Sequence, residues 1–356
     1  MTIEPERGRL RPAPDSGPGS ENELVRQLVF AGCGVKGTGY LGVIRALEQA
    51  GVLPGVERVA GTSAGAVMAA MLALGASSDD VDRLVSPLEL GPLLSRTPNV
   101  SELLSAPWTF GLRDAEPVEE WLRERIAELT EARLGEPRPD LTLGELDTLA
   151  DLHPGTFRRP YIIATNLSCL RAEVFCGEVT PDETLARAVR YSIGIPAVLK
   201  AGTLDDGSVL VDGALTWNYP FQLFSGWSRP PVAPGVRGIK FGTDRPGATL
   251  GFVMSSREEL GLTGEAASGP HQEIAGVLDF MSSVFMLTTQ LATLAYLEPE
   301  VRDHTVFVGG EGVSPIDFGL DLEAHQQLMR NGRTQTLAWL ERHATAMSSA
   351  APHLEG

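Results

Sequence analysis

Residues 56–75, VERVAGTSAGAVMAAMLALG, decide the fold. Residues 56–60 are β-prone and partly apolar, as a short strand would be. Gly61-Thr62-Ser63-Ala64-Gly65 follows, and then a run of nine apolar residues, 66–74, closed by Gly75. That run has no strand alternation and the length of a buried helix. Strand, tight turn and helix around G-x-S-x-G form the pattern of a nucleophile elbow. The turn forces Ser63 into a strained conformation with its Oγ exposed. Gly61 and Gly65 are small because neighbouring backbones pass close by. The following helix aims its positive end at the same point. Alone, the pattern also fits a glycine-rich turn with an N-capping serine.

Working outward, residues 26–31 (RQLVFA) read as a buried strand and residues 38–50 as an amphipathic helix ended by Gly51. With the stretch above, this makes a βαβ unit, whose crossover is right-handed and whose strands are parallel. The loop after the first strand then lies beside the elbow after the second. That loop is Gly32-Cys33-Gly34-Val35-Lys36-Gly37. It matches G-x-G-x-x-G, but a dinucleotide site needs an acidic residue ending the second strand, and Glu57 begins it. A phosphate-binding P-loop needs Ser or Thr after its Gly-Lys, and Lys36 is followed by Gly37. The remaining reading is an oxyanion hole, in which one backbone donor is worth about 2.7–4 kcal/mol of barrier.

A serine hydroxyl needs a base. Downstream, residues 77–150 read as mostly polar helices and loops. Residues 161–165 read as a central strand, with 173–176 as an antiparallel partner. A helix begins at Thr184 and ends by Gly194 and Pro196. Residues 199–204 and 208–211 form a hairpin around Asp205-Asp206-Gly207 and run into Asp212-Gly213-Ala214. Asp212 is expected to reach over the sheet edge as Ser63 does, with no strand pairing back after it; the bland reading is an Asp-Gly turn. A Ser–His–Asp triad would draw on His271, His304, His325 or His343. His304 directly precedes a strand and is the best placed of these. Residues 228–238 form a Pro/Gly linker. IKFG (239–242) and TVFV (305–308) read as strands, 274–297 and 321–343 as helices, the latter broken near Asn331-Gly332.

The chain has 356 residues, 43% hydrophobic and 21% charged, with a net charge of −17. That balance suits a globular protein and excludes nucleic acid as a partner. It also disfavours electrostatic adsorption to an anionic membrane. Three cysteines and six scattered histidines show neither a disulfide framework nor metal-ligand spacing, so no metal and no cofactor are expected. Residues 1–21 are Pro-, Gly- and charge-rich and lack an apolar signal-peptide core, so they read as a disordered tail. A tail read by a specialised secretion system would look the same.

Taken together, these motifs resemble the patatin-like phospholipases. That family's Gly-x-Gly-x-[Lys/Arg]-Gly loop stands here at Gly32–Gly37, its G-x-S-x-G elbow at Gly61–Gly65, and its Asp-Gly-[Gly/Ala] motif at Asp212-Gly213-Ala214. RYSIGIPAVL is similar to its Ser-x-x-x-Pro block, and DGALTWNYP continues in its manner with Asn218 and Pro220. The likeness covers residues 28–225 and extends more loosely to SPIDFGLD and LMRNGRTQTLAWL. Cys33 departs from the glycine of many members, although the animal triglyceride-lipase branch also has cysteine there.

The resemblance implies a three-layer α/β/α fold with a mostly parallel central sheet. Residues 28–225 would be the catalytic core and 226–345 would complete the same domain. It implies an acyl hydrolase of phospholipids or other acyl lipids. Ser63 would be the nucleophile, Asp212 the proton acceptor without a histidine, and the Gly32–Gly37 amides the oxyanion hole. Lys36 would orient the loop or favour an anionic head group; a solvated lysine is the plain reading. The look is of a stand-alone bacterial member, including the type delivered as a toxin. Residence is then cytoplasmic or peripheral to a membrane, with export and a regulatory or host protein activator left open. A Ser–His–Asp esterase and a catalytically silent membrane-binding module are the competing readings.

A lipid hydrolase must meet an interface. Residues 274–297 would span roughly 36 Å as a helix. Asp279, Gln290 and several Ser/Thr interrupt them, so a membrane span is not expected. Ile274, Val277, Leu278, Met281, Phe285 and Leu291 suggest a core helix bordering the acyl site, with an interfacial lid as the alternative. Trp217, Phe224 and Trp227 are further interface candidates.

Overall fold

Alternate side chains of the first strand enter two different cores. Leu28 and Phe30 belong to one hydrophobic cluster, Val29 and Ala31 to another, and all four are buried. Val59 and Ala60 divide the same way, as do Ile162 and Ile163. Side chains of a strand alternate between faces, so apolar residues at every position require cover on both sides. That requirement gives three layers with the sheet in the middle.

The computed structural model describes residues 25–84, 111–225, 248–263, 274–310, 312–315 and 319–349. The Pro/Gly-rich tail, the 228–238 linker, the IKFG segment, Trp227 and His271 lie outside these residues. In chain order the elements begin β1 (Gln27–Phe30), α1 (Gly39–Gln49), β2 (Arg58–Thr62), α2 (Ala64–Ala73) and α3 (Ser78–Leu84). Next come β3 (Gly111–Arg113), α4 (Glu116–Leu134), α5 (Leu143–Leu152), β4 (Arg159–Asn166), β5 (Arg171–Phe175) and α6 (Leu185–Ser192). Then follow β6 (Ala197–Leu199), β7 (Gly202–Thr203), β8 (Val209–Asp212), α7 (Ala214–Trp217) and α8 (Gln222–Ser225). The chain closes with β9 (Thr249–Val253), α9 (Val277–Leu294), α10 (Pro299–Asp303), β10 (Thr305–Phe307) and α11 (Leu322–Ser349).

The main sheet runs β10-β9-β1-β2-β4-β8-β7, with β5 also paired to β4. Strands β10, β9, β1, β2 and β4 are mutually parallel, and β5, β8 and β7 join antiparallel. Helices α1, α2, α4, α5 and α6 supply the first core, with Trp121, Leu122 and Ile126 showing that α4, in the polar-looking region, is amphipathic. Trp217, Tyr219, Phe221, Phe224, Tyr296 and Val301 supply the second.

Four expectations change. Strand β9, beside β1 at the centre, is not among the strands read from the sequence. Its TLGFV is interrupted by Gly251, where any Cβ would overlap the Tyr219 hydroxyl. The last helix is continuous through Asn331-Gly332. Gly332 is a packing contact: a Cβ there would overlap the carbonyl oxygen of Gly39, as one at Gly42 would overlap that of Met329. Helix α9 is not a core helix. Ile274 ahead of it is exposed, as are Phe280, Met281, Val284, Leu287 and Leu291 along it. Thr293, in its last turn, is buried. Trp217 and Phe224 are fully buried packing residues, which removes them as interface candidates.

Candidate active site

Register alone brings Ser63 and Asp212 level. Thr62, ending β2, is paired with Ile163 of β4, and the next β4 residue, Ala164, is paired with Asp212. Ser63 and Asp212 thus flank one strand at one height. Strand β8 runs antiparallel to β4, so Asp212 arrives by register across the sheet rather than at a shared strand end, the geometry the sequence suggested. After Asp212 the chain enters α7 rather than a strand that pairs back.

The elbow has the strain its sequence implies. Ser63 has φ 54° and ψ −125°, outside the regions that an L-residue adopts freely. A Cβ on Gly61 would overlap the carbonyl oxygen of Gly65, and one on Gly65 that of Phe30. A Cβ on Gly213 would overlap the carbonyl oxygen of Ile163. These three glycines are therefore required by backbone packing. The Ser63 N–H donates to Ser192 Oγ at 2.9 Å, and Ser192 Oγ donates to the Ile163 carbonyl at 2.5 Å. Ser192, the serine of the SIGIP block, thus ties the elbow to β4.

Ser63 Oγ donates to Asp212 Oδ2 at 2.6 Å, and the Ala214 N–H donates to Asp212 Oδ1 at 2.9 Å. Asp212 is fully buried. Burial pushes its carboxyl up to about 7, against the pull of the bonds from Ser63 and Ala214. A carboxylate poised near neutrality and bonded to a serine hydroxyl can accept that proton and return it.

The glycine loop lies against the elbow. A Cβ on Gly32 would stand 3.1 Å from the Ser63 Cβ, and one on Gly37 2.9 Å from the Ala64 Cβ. Three of its six N–H groups already donate within the protein: Gly32 to Asn218 O, Val35 to Pro315 O and Lys36 to Cys33 O. Gly37 lies inside the short 3-10 turn Gly34–Thr38. The N–H groups of Cys33 and Gly34 have no acceptor among the described residues. Gly34 has φ +56°, and a Cβ there would overlap the Pro315 carbonyl. The Cys33 thiol sits in the first core, and burial pushes it up to about 12, so it stays neutral. Lys36 is buried rather than solvated, with Nζ 3.9 Å from Glu259 Oε1. That favours orienting the loop over meeting a head group.

No histidine among the described residues joins the pair. His304 precedes β10, which is parallel to β1 through β9, so it lies at the strand edge opposite Ser63. His325 Nδ1 is 3.4 Å from Thr38 Oγ1, and His343 stacks on Trp339. The triad loses these three candidates. Sequence reasoning gave no role to Ser192, Asn218, Thr293, Glu259 or Pro315. Ser192, Asn218 and Pro315 sat in quoted motifs. The others lie in segments whose proximity only the fold creates.

A family model described as patatin-like phospholipase matches residues 28–225. YqhO of Bacillus subtilis (strain 168) is 27% identical over 323 residues, covering 88% of this chain and 97% of that protein. Protein R571 of Acanthamoeba polyphaga mimivirus is 21% identical, covering 86% and 91%. Among solved structures, VipD from Legionella pneumophila aligns with a TM-score of 0.56 at 18% identity, over 90% of this chain and 67% of its own. That last likeness is one of fold.

Proposed function

The chain belongs to the patatin-like phospholipase family, and from that premise we propose that it is a lipid acyl hydrolase working through Ser63 and Asp212. The observation carrying this reading is the 2.6 Å bond from Ser63 Oγ to a buried carboxyl poised near pH 7. Ser63 Oγ attacks the ester carbonyl of an acyl lipid while its proton passes to Asp212. The carbonyl oxygen becomes an oxyanion held by the N–H groups of Cys33 and Gly34. Collapse of the tetrahedral intermediate expels the alcohol, which takes the proton from Asp212, and leaves the acyl group on Ser63. Water then attacks the acyl ester as Asp212 takes its proton, and the fatty acid leaves as Ser63 recovers its own.

Helix α9 is the surface that meets the lipid. Phe280, Val284, Leu287 and Leu291 recur at spacings of four, three and four and form one exposed apolar stripe. With a net charge of −17, contact with a lipid surface falls to apolar residues rather than to charge. Among the described residues no helix is long and apolar enough to cross a membrane.

The test is a panel of phospholipids, lysophospholipids and acylglycerols assayed with wild type, Ser63→Ala and Asp212→Asn. Both variants should lose at least about a thousandfold in kcat, and a fluorophosphonate should label wild type but not Ser63→Ala. Undiminished hydrolysis by either variant would sink the dyad. Lipid binding by a wild type that neither hydrolyses nor labels would point to a silent binding module.

A further inference from the structure

Both backbone polar groups of Gly32 are bound by a single residue. Its N–H donates to the main-chain oxygen of Asn218 at 3.1 Å, and its carbonyl accepts from Asn218 Nδ2 at 3.0 Å. The second hydrogen of that carboxamide goes to Thr293 Oγ1 at 2.7 Å. Asn218 is buried, and its Oδ1 has no partner among the described residues. Only one orientation of the carboxamide serves both acceptors, because turning it over would face Oδ1 to the Gly32 carbonyl. The fit is tight: a Cβ on Gly32 would overlap Asn218 Oδ1.

The Gly32 carbonyl and the Cys33 N–H belong to one planar peptide unit and point in opposite directions. Holding the oxygen therefore fixes the direction of the hydrogen. A bond accepted by the carbonyl also polarises the unit and strengthens its N–H as a donor. The geometry points to Asn218 as the positioning residue that aims the Cys33 N–H at the reacting carbonyl oxygen. The inference rests on the acyl-hydrolase reading and extends it. Thr293 lies in the last turn of α9 and donates its own hydroxyl hydrogen to Thr289 O at 2.8 Å. The lipid-facing helix is thereby connected through two side chains to an oxyanion donor: Thr293, Asn218, the Gly32 peptide, the Cys33 N–H. Displacement of α9 at an interface would act on the aim of that donor.

Two measurements test this. Asn218→Ala and Asn218→Asp, assayed on a soluble p-nitrophenyl ester, should lower kcat about 100-fold or more with KM changed less than about threefold. Thr293→Val, which keeps Asn218, should give a smaller loss of the same kind. The kcat of Asn218→Asp relative to wild type should recover as pH falls, when a protonated carboxyl again donates to Gly32. Asn218→Ala with kcat within threefold of wild type, or a loss expressed wholly in KM, overturns the assignment. The second measurement needs no turnover. The chain has three cysteines, so 15N-cysteine labelling gives three backbone amide signals, with Cys33 assigned by its loss in Cys33→Ala. Asn218→Ala should shift the Cys33 amide and leave those of Cys169 and Cys176 in place. An unmoved Cys33 signal overturns the proposal even if the dyad stands. A moved signal in a wild type inactive on every ester would retain the positioning and sink the hydrolase reading instead.

Discussion

Asp212 answers two opposed demands. As the proposed base it must lose its proton, yet its fully buried site favours the neutral form. Its folded value, about 7, lies far above an ordinary aspartate near 3.9. Between those values the folded protein holds a proton that the unfolded chain has released. The stability this lends is complete below about pH 4 and is lost as pH rises through about 7. Activity runs the other way: kcat/KM on a soluble ester should rise through pH 7 to a plateau, and a plateau that persists down to pH 5 would exclude Asp212 as the base. Asp212→Asn should lose turnover at every pH. It should also melt above wild type at pH 8, with the advantage shrinking at pH 5. The Ser63–Asp212 pair of the proposed dyad was legible in the sequence because each partner carries its own local punctuation, Gly61 and Gly65 around Ser63 and Gly213 after Asp212. Asn218, Thr293 and Pro315 carry no such mark. Their importance lies in which backbone groups they occupy, and that depends on segments far apart in the chain.

Among the elements, local period and tertiary contact gave different results. Strands β1, β2 and β4 and helices α1 and α2 are readable because each is continuous in its own pattern. Strand β9 hides because Gly251 breaks its pattern to admit Tyr219. Helix α11 misleads for a related reason: Gly332 suggests a stop, yet it lets two helix backbones touch. Gly42 and Gly332 sit at that contact, each with a carbonyl oxygen of the other helix where a Cβ would go. Gly332→Ala or Gly42→Ala should each cost about 1–3 kcal/mol, since the helices must part to accept a methyl group. Urea unfolding checks this, and a neutral result would mean that α1 and α11 slide freely. Helix α9 shows the reverse error. Its composition reads as core, but an apolar face does not reveal from sequence whether protein or lipid covers it.

For the molecule as a whole, the surface divides its labour. On the proposed reading, its net charge of −17 leaves association with a lipid surface to the apolar stripe on α9. Phe280→Ser with Leu287→Ser should leave the melting temperature and soluble-ester kcat/KM within twofold of wild type. It should reduce both flotation with phosphatidylcholine vesicles and hydrolysis of their lipid at least tenfold. Equal binding by the double variant would remove α9 from the interface. The position of β1 has a further consequence, which concerns how the chain is made. Its partner on one side, β2, leaves the ribosome almost at once. The partner on the other side, β9, is distant: Gln27 meets Thr249 across 222 residues. At about 5–20 residues per second, the central strand of the nascent sheet waits roughly 10–45 s with one edge open. During that interval the finished elbow borders an unpaired row of backbone donors and acceptors, the kind of edge that recruits other chains.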